Sequence, residues 1–187
     1  MRIDYHTGLV VPAQQTPSPN CDDRPEDAVI ELAIIHGISL PPGRFSGSWI
    51  DALFTNTLDT RAHPYFEGLR GLHVSSHLLI RRRGQLVQYV PLHRRAWHAG
   101  VSSFRGRERC NDFSVGIELE GEDERPYTQA QYRRLVTLLR ELMRVYPRIT
   151  PDRVVGHCHV APGRKTDPGP AFDWGHLERM LGVPQPV

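Results

Sequence analysis

Histidine, aspartate and a lysine crowd the stretch "GHCHVAPGRKTDPGPAFDW", Gly156–Trp174. Imidazoles stand at His157 and His159, and Asp167 follows ten residues after His157 in a Pro- and Gly-rich loop able to fold back. A further imidazole, His36, lies far upstream near the end of the apolar run "AVIELAIIHGIS". Two imidazoles and one carboxylate make a three-ligand zinc site with its fourth position open, the catalytic type. His36, His157 and Asp167 are the candidate ligands. His159 competes for the second place, because in a continuing strand His157 and His159 face the same way, and spacing alone leaves that choice open. Cys158 would then point to the opposite side as a buried, inert thiol. His73 and His77, in "HVSSH", have the i, i+4 spacing of a helical zinc pair. Their flanks are strand-like, however, and at about 3.3 Å per residue they would stand ~13 Å apart, so no site is expected there.

Chemistry at such a centre needs a carboxylate to move a proton. "GIELEG" offers Glu118 and Glu120, which a strand's period of two places on one face, so the residues by themselves do not choose between them. Lys165 stands out for another reason: the chain has 23 basic residues, and this is the only lysine. An ammonium is a compact point charge that can approach a single oxygen, whereas a guanidinium is a planar fork built for two. An oxyanion developing beside a metal suits the former.

These groups need elements to hold them. The run Ala28–Ser39 is continuous and apolar, short enough for a buried strand, and puts His36 near its C-terminal end. "SWIDALFTN" reads as a short helix capped by Ser48, and residues 55–72, without a clear period, as an irregular insertion. "HVSSHLLIRRRGQLVQYVP" reads as two strands joined by a tight turn at Gly84, and Ser114–Gly121 as another strand. In "TQAQYRRLVTLLRELMRVYP", Thr128 and Gln131 form a capping-box pattern. Tyr132, Leu135, Val136, Leu139, Leu142, Met143 and Tyr146 then make one apolar stripe, and Pro147 stops the helix. "RVVGHCHV" reads as a final strand, and "DWGHLERMLG" as a closing helix between Asp173 and Gly182. Strands mixed with two strong helices indicate an α/β or α+β layer around one mixed sheet. Residues 1–27 form a Pro-rich lead-in, and residues 28–182 the domain.

The 187 residues suit one domain, with 39% apolar and 24% charged residues near the globular norm. A net charge of +2, and an "RRR" run without interleaved aromatics, argue against a nucleic-acid partner. Three widely spaced cysteines form no disulfide framework and favour a reducing compartment. The N-terminus has no apolar segment of signal-peptide length, and no run of about 18 apolar residues spans a membrane. The expectation is a cytoplasmic, enzyme-sized monomer without a membrane partner.

The opening stretch also resembles the C-terminal signature of the zinc-dependent N-acetylmuramoyl-L-alanine amidases, most closely the cytoplasmic branch acting on 1,6-anhydromuropeptides. The resemblance continues through "ISLPPG", "WIDALFT", "LIRRRGQLVQYVP", "RAWHAG" and "GRERCNDFSVGIELEG", in order along nearly the whole chain. It implies a peptidoglycan-recognition-type fold, with a mixed five-stranded sheet flanked by helices. It implies Zn2+ on His36, His157 and Asp167, and hydrolysis of the amide between the lactyl group of anhydro-N-acetylmuramic acid and L-Ala of the stem peptide. It further implies Glu118 as proton carrier, Lys165 on the oxyanion, Trp97 against the sugar and Arg109 on a peptide carboxylate. Two positions depart from the family pattern. Gly37 replaces the Asn that usually follows the first ligand, putting one polar contact to the peptide in question, and His159 replaces an Asp. Rival readings are an amidase cutting intact wall and a non-catalytic peptidoglycan-binding module, though such modules typically lose a zinc ligand.

Overall fold

Apolar sequence forms the middle of the sheet. Leu32–Ile38 and Ser114–Glu120 pair in parallel, and every residue of the second strand is buried, as expected of strands covered on both faces. The computed structural model describes residues 1–182. Its main sheet contains β1 (Gln14–Gln15), β2 (Leu32–Ile38), β3 (Leu78–Ile80), β4 (Leu86–Gln88), β5 (Ser114–Glu120) and β6 (Val154–Gly156). The spatial order is β6-β2-β5-β3-β4-β1. β6, β2, β5 and β3 are parallel, β4 returns antiparallel to β3, and β1 runs parallel to β4. The sheet is mixed as expected, with six strands instead of five. The extra one is the two-residue edge β1, drawn from the lead-in and too short to leave a periodic pattern.

Among the described residues four α-helices accompany the sheet: α1 (Trp49–Phe54), α2 (Gln129–Val145), α3 (His157–Val160) and α4 (Trp174–Leu181). α2 starts on the expected capping box: Thr128 Oγ1 accepts from the Gln131 N–H, and Gln131 Oε1 accepts from the Thr128 N–H. Its stripe of Leu135, Leu139 and Leu142 covers Ala33, Ile35, Val115 and Ile117, joined by Leu177 of α4. The opposite face carries Leu32 and Ile34 against Phe113 and Val160, while Leu79 and Val87 meet Ile50, Leu53 and Phe54 of α1. The alternation of a strand therefore puts His36, two residues beyond Ile34, on the face away from α2. Ser48 stands at the start of α1 but its side chain makes no capping hydrogen bond. Asp173 caps α4 by accepting from the His176 N–H, and Gly182 ends it with φ +79°. Gly84 makes the β3–β4 turn with φ +80°.

Residues 55–72 contain a 3-10 helix, Pro64–Leu69, that buries Phe66. The lead-in lies against the domain. Cys21–Asp23 pairs antiparallel with Arg94–Ala96, and Arg24 donates to the carbonyls of Leu92, Asn111, Asp112 and Ser114. Cys21, Cys110 and Cys158 are free thiols, and no helix among the described residues is long and apolar enough to cross a membrane.

Candidate metal centre and active-site cleft

Strand register sets the chemistry in a row. Gly156, the last residue of β6, pairs with Ile35, and Glu118 of β5 pairs with His36 of β2. His157, one step beyond Gly156, thus arrives beside His36, with Glu118 on its other side. This is the C-terminal end of parallel strands, where open α/β sheets place ligands. Asp167 is brought back by its loop, which Cys158 fixes by donating its N–H to the Asp167 carbonyl at 3.0 Å. His36 Nδ1 lies 3.0 Å from His157 Nδ1 and 3.2 Å from Asp167 Oδ2, and His157 Nδ1 lies 3.1 Å from the same oxygen. In a tetrahedron with zinc bonds of about 2.0–2.1 Å, two ligand atoms stand about 3.3 Å apart, so this triangle fits a metal of that size. No other group of three or more His, Cys, Asp or Glu among the described residues converges in this way.

The electrostatics suit the same use. Burial, with His36 only 2% exposed, lowers its pKa to about 4, so it is neutral and able to ligate. Burial raises the Asp167 pKa, but the His157 and His36 imidazoles packed against it outweigh that and hold the carboxyl well below the usual range. The third imidazole, His159, takes no part. The chain leaves the strand at Gly156 and turns into α3, so the expected strand continuation through His159 is wrong. His159 Nδ1 accepts from the Gly156 N–H, and its ring lies by Trp174. His73 is exposed and His77 buried, with His77 Nδ1 accepting from the Gly116 N–H.

A cleft of about 230 Å³ opens on this centre, lined by Gly37, Trp97, His98, Glu118 and Lys165 among others. Glu118 is 7% exposed and its Oε2 has no hydrogen-bond partner. Burial, then Asp167, raise its pKa well above the carboxylate norm, against the pull of Lys165. Glu120, on the same face of β5, is fully engaged elsewhere. It accepts from the Ser46 N–H at 2.6 Å and the Arg82 N–H at 3.0 Å, and pairs with Arg81 at 3.6 Å. The Trp97 indole donates to Asp22 at 3.1 Å, while the Trp97 and Ser75 residues exchange two further hydrogen bonds. Tyr65, Leu69 and Leu72 from the 55–72 segment form an apolar lip. A roomier hollow of about 580 Å³ beside Tyr5, Arg24 and Tyr146 contains none of these convergent groups, so size is not what marks the site.

A family model described as N-acetylmuramoyl-L-alanine amidase matches residues 26–170. The chain belongs to that family. The amidase is 59% identical over 174 residues to the 1,6-anhydro-N-acetylmuramyl-L-alanine amidase AmpD of Escherichia coli strain K12, covering 93% of this chain and 94% of the relative. Its structure resembles the crystal structure of a Se-Met AmpD derivative with TM-score 0.93 and 55% identity, over 97% of this chain and 99% of the other. It also resembles, with TM-score 0.60 and 31% identity, the Escherichia coli amidase AmiD in complex with anhydro-N-acetylmuramic acid-L-Ala-D-gamma-Glu-L-Lys, over 84% of this chain and 60% of the other.

Two of the residues singled out by sequence behave differently from the rest. Position 37 of the amidase has no room for a side chain, since a Cβ there would lie 2.4 Å from the Tyr127 hydroxyl, which donates to the Pro168 carbonyl at 3.0 Å. Arg109 is not in the cleft. It lies with Arg164 on a second hollow of about 580 Å³, exposed, its Nε 3.3 Å from Asp112. The hollow lies beside the candidate centre, since Arg164, which lines it, donates to the Ala99 carbonyl, which also takes a hydrogen bond from His157 Nε2. Sequence reasoning missed His98, Asn111 and Tyr127. Each works through a partner at least 12 residues away, a separation at which local periodicity carries no signal.

Proposed function

We propose that this amidase hydrolyses the amide between the lactyl group of 1,6-anhydro-N-acetylmuramic acid and L-Ala of the stem peptide, with one Zn2+ held by His36, His157 and Asp167. A monomer acting in the cytoplasm on soluble anhydromuropeptides, without nucleic-acid or membrane partners, belongs to the same reading. The observation that supports it most is the row of His157, His36 and Glu118 at the C-terminal ends of three adjacent parallel strands, in a chain so similar to AmpD. When bound, zinc supplies a Lewis acid that polarises the scissile carbonyl and acidifies water.

The chain's own groups do the rest. Glu118, desolvated and with one oxygen unengaged, takes the proton of the attacking water and passes it to the departing amine of L-Ala. Lys165, two residues before Asp167 on the same loop, stabilises the oxyanion of the tetrahedral intermediate. Trp97, held by Asp22 and Ser75, offers its ring to the sugar. Arg109 meets a stem-peptide carboxylate through its exposed guanidinium, in the hollow adjoining the centre. Gly37 leaves only backbone facing the peptide. Incubation with anhydro- and non-anhydro-muropeptides, with products identified by mass, is expected to release a free stem peptide beginning with L-Ala from the anhydro substrate. Cleavage of neither substrate, or of the non-anhydro form alone, sinks the proposal.

The lone lysine provides a narrower test. Lys165→Arg keeps the positive charge but replaces a point donor by a planar fork that is too wide beside the metal ligands. The fold and zinc content are expected to stay, while kcat falls by about 10²–10³, roughly 3–4 kcal/mol of transition-state stabilisation. Little of this should appear in KM. Steady-state kinetics with zinc measured on the same sample decides it, and turnover within a few-fold of the parent would show that any positive charge suffices.

A further inference from the structure

Both imidazole ligands have a second nitrogen, and both second nitrogens meet one short turn. His157 Nε2 lies 3.2 Å from the carbonyl of Ala99, and His36 Nε2 lies 2.9 Å from Nδ1 of His98, the residue before it. The turn itself is pinned. Asn111 Oδ1 accepts the N–H of His98 at 3.2 Å and of Ala99 at 2.8 Å, and Arg164 donates to the Ala99 carbonyl. The His98 ring is seated as well. Its Nε2 lies 3.2 Å from Ser114 Oγ, and a Cβ at residue 116 would come within 2.6 Å of the ring, so Gly116 leaves it space.

A neutral imidazole carries one N–H. A ring that gives Nδ1 to a metal must carry its proton on Nε2, and a buried N–H needs an acceptor. For His157 the acceptor is a carbonyl, which cannot donate. For His36 the matching acceptor is His98 Nδ1, bare when the His98 proton lies on Nε2 and is given to Ser114 Oγ. Resting on the zinc reading above, we infer that His98 is a positioning residue: with the Ala99 carbonyl it takes the Nε2–H of the ligands, so that both present Nδ1 to the metal. The Nε2–H of His36 fixes the His98 tautomer, and the Ser114 hydroxyl takes the Nε2–H of His98. Removing such outer partners of metal ligands costs about 10–100-fold in metal affinity.

The test is zinc affinity by chelator competition, independent of activity, on the full chain. His98→Leu fills space but offers no acceptor, and is expected to weaken zinc binding by about 10–100-fold. His98→Asn returns an oxygen near the Nδ1 position, and is expected to remain within about threefold of the parent. Equal losses in both variants would mean that the ring matters for packing, and no loss in either would mean that it does not matter; each result overturns the inference. Long-range 15N–1H spectra of the zinc-loaded parent need no variant. They should show the proton on Nε2 of both His36 and His98, and a His98 protonated on Nδ1 overturns the assignment. A parent protein that binds no zinc would remove the zinc reading and this inference together, a result distinct from a parent that binds and variants that match it.

Discussion

Alanine at Glu118 is expected to lower kcat by about 10²–10⁴ while zinc content stays unchanged. Glu118 touches neither imidazole by hydrogen bond and holds no loop in place; its Oε2 is buried and unpartnered in the cleft. A carboxylate kept dry is a stronger base than one in water, because burial disfavours its charge. The neighbouring Glu120 is the natural control. Its carboxylate closes the Ser46 and Arg82 N–H groups and faces Arg81, so Glu120→Ala leaves these donors without their acceptor. That variant should lose thermal stability, with kcat of the folded protein falling much less. Kinetics, zinc analysis and Tm on both variants settle the ranking; if Glu120→Ala is the slower enzyme, the proton carrier has been misassigned.

Removing any one of the three ligands is expected to abolish both metal and activity. His36→Ala, His157→Ala and Asp167→Ala each leave two donors, and two donors retain zinc poorly. His159→Ala should keep both, since its ring accepts from the Gly156 N–H and stands apart from the donor triangle. Atomic absorption on the four purified variants is the measurement. Full zinc retention in His36→Ala, or loss in His159→Ala, would refute the ligand set.

What could be read from the sequence depended on how local the determinant was. α2 was legible because its capping box and its apolar stripe lie within one segment and agree. β2 was legible because a strand buried on both faces reads as a nearly continuous apolar run, and β5 because Val115, Ile117 and Leu119 recur with the period of two of a strand. The end of β6 was not. "VVGHCHV" carries no proline, and the turn into α3 is supported by His159 accepting from Gly156, a cap that residue type does not usually announce. Glu118 and Glu120 share a parity, and what separates them is Ser46, Arg81 and Arg82, brought across from distant loops. The resemblance supplied Arg109 as a site residue, but only the folded chain reveals that it faces a hollow beside the cleft.

The contact between His36 and His157 spans 121 residues, and β6 is the edge strand beside β2. A ribosome delivers His36 a full 121 residues before His157, and Asp167 later still. Throughout most of synthesis the nascent chain therefore offers a single imidazole of this set, and one imidazole captures no metal firmly. With the proposed ligand set, metal capture is coupled to the docking of β6 beside β2. Until that strand arrives, the apolar edge of β2 lacks its β6 neighbour, the condition in which strands join the wrong partner. On the proposed ligand set, metal capture and the closing of that edge fall to the same segment.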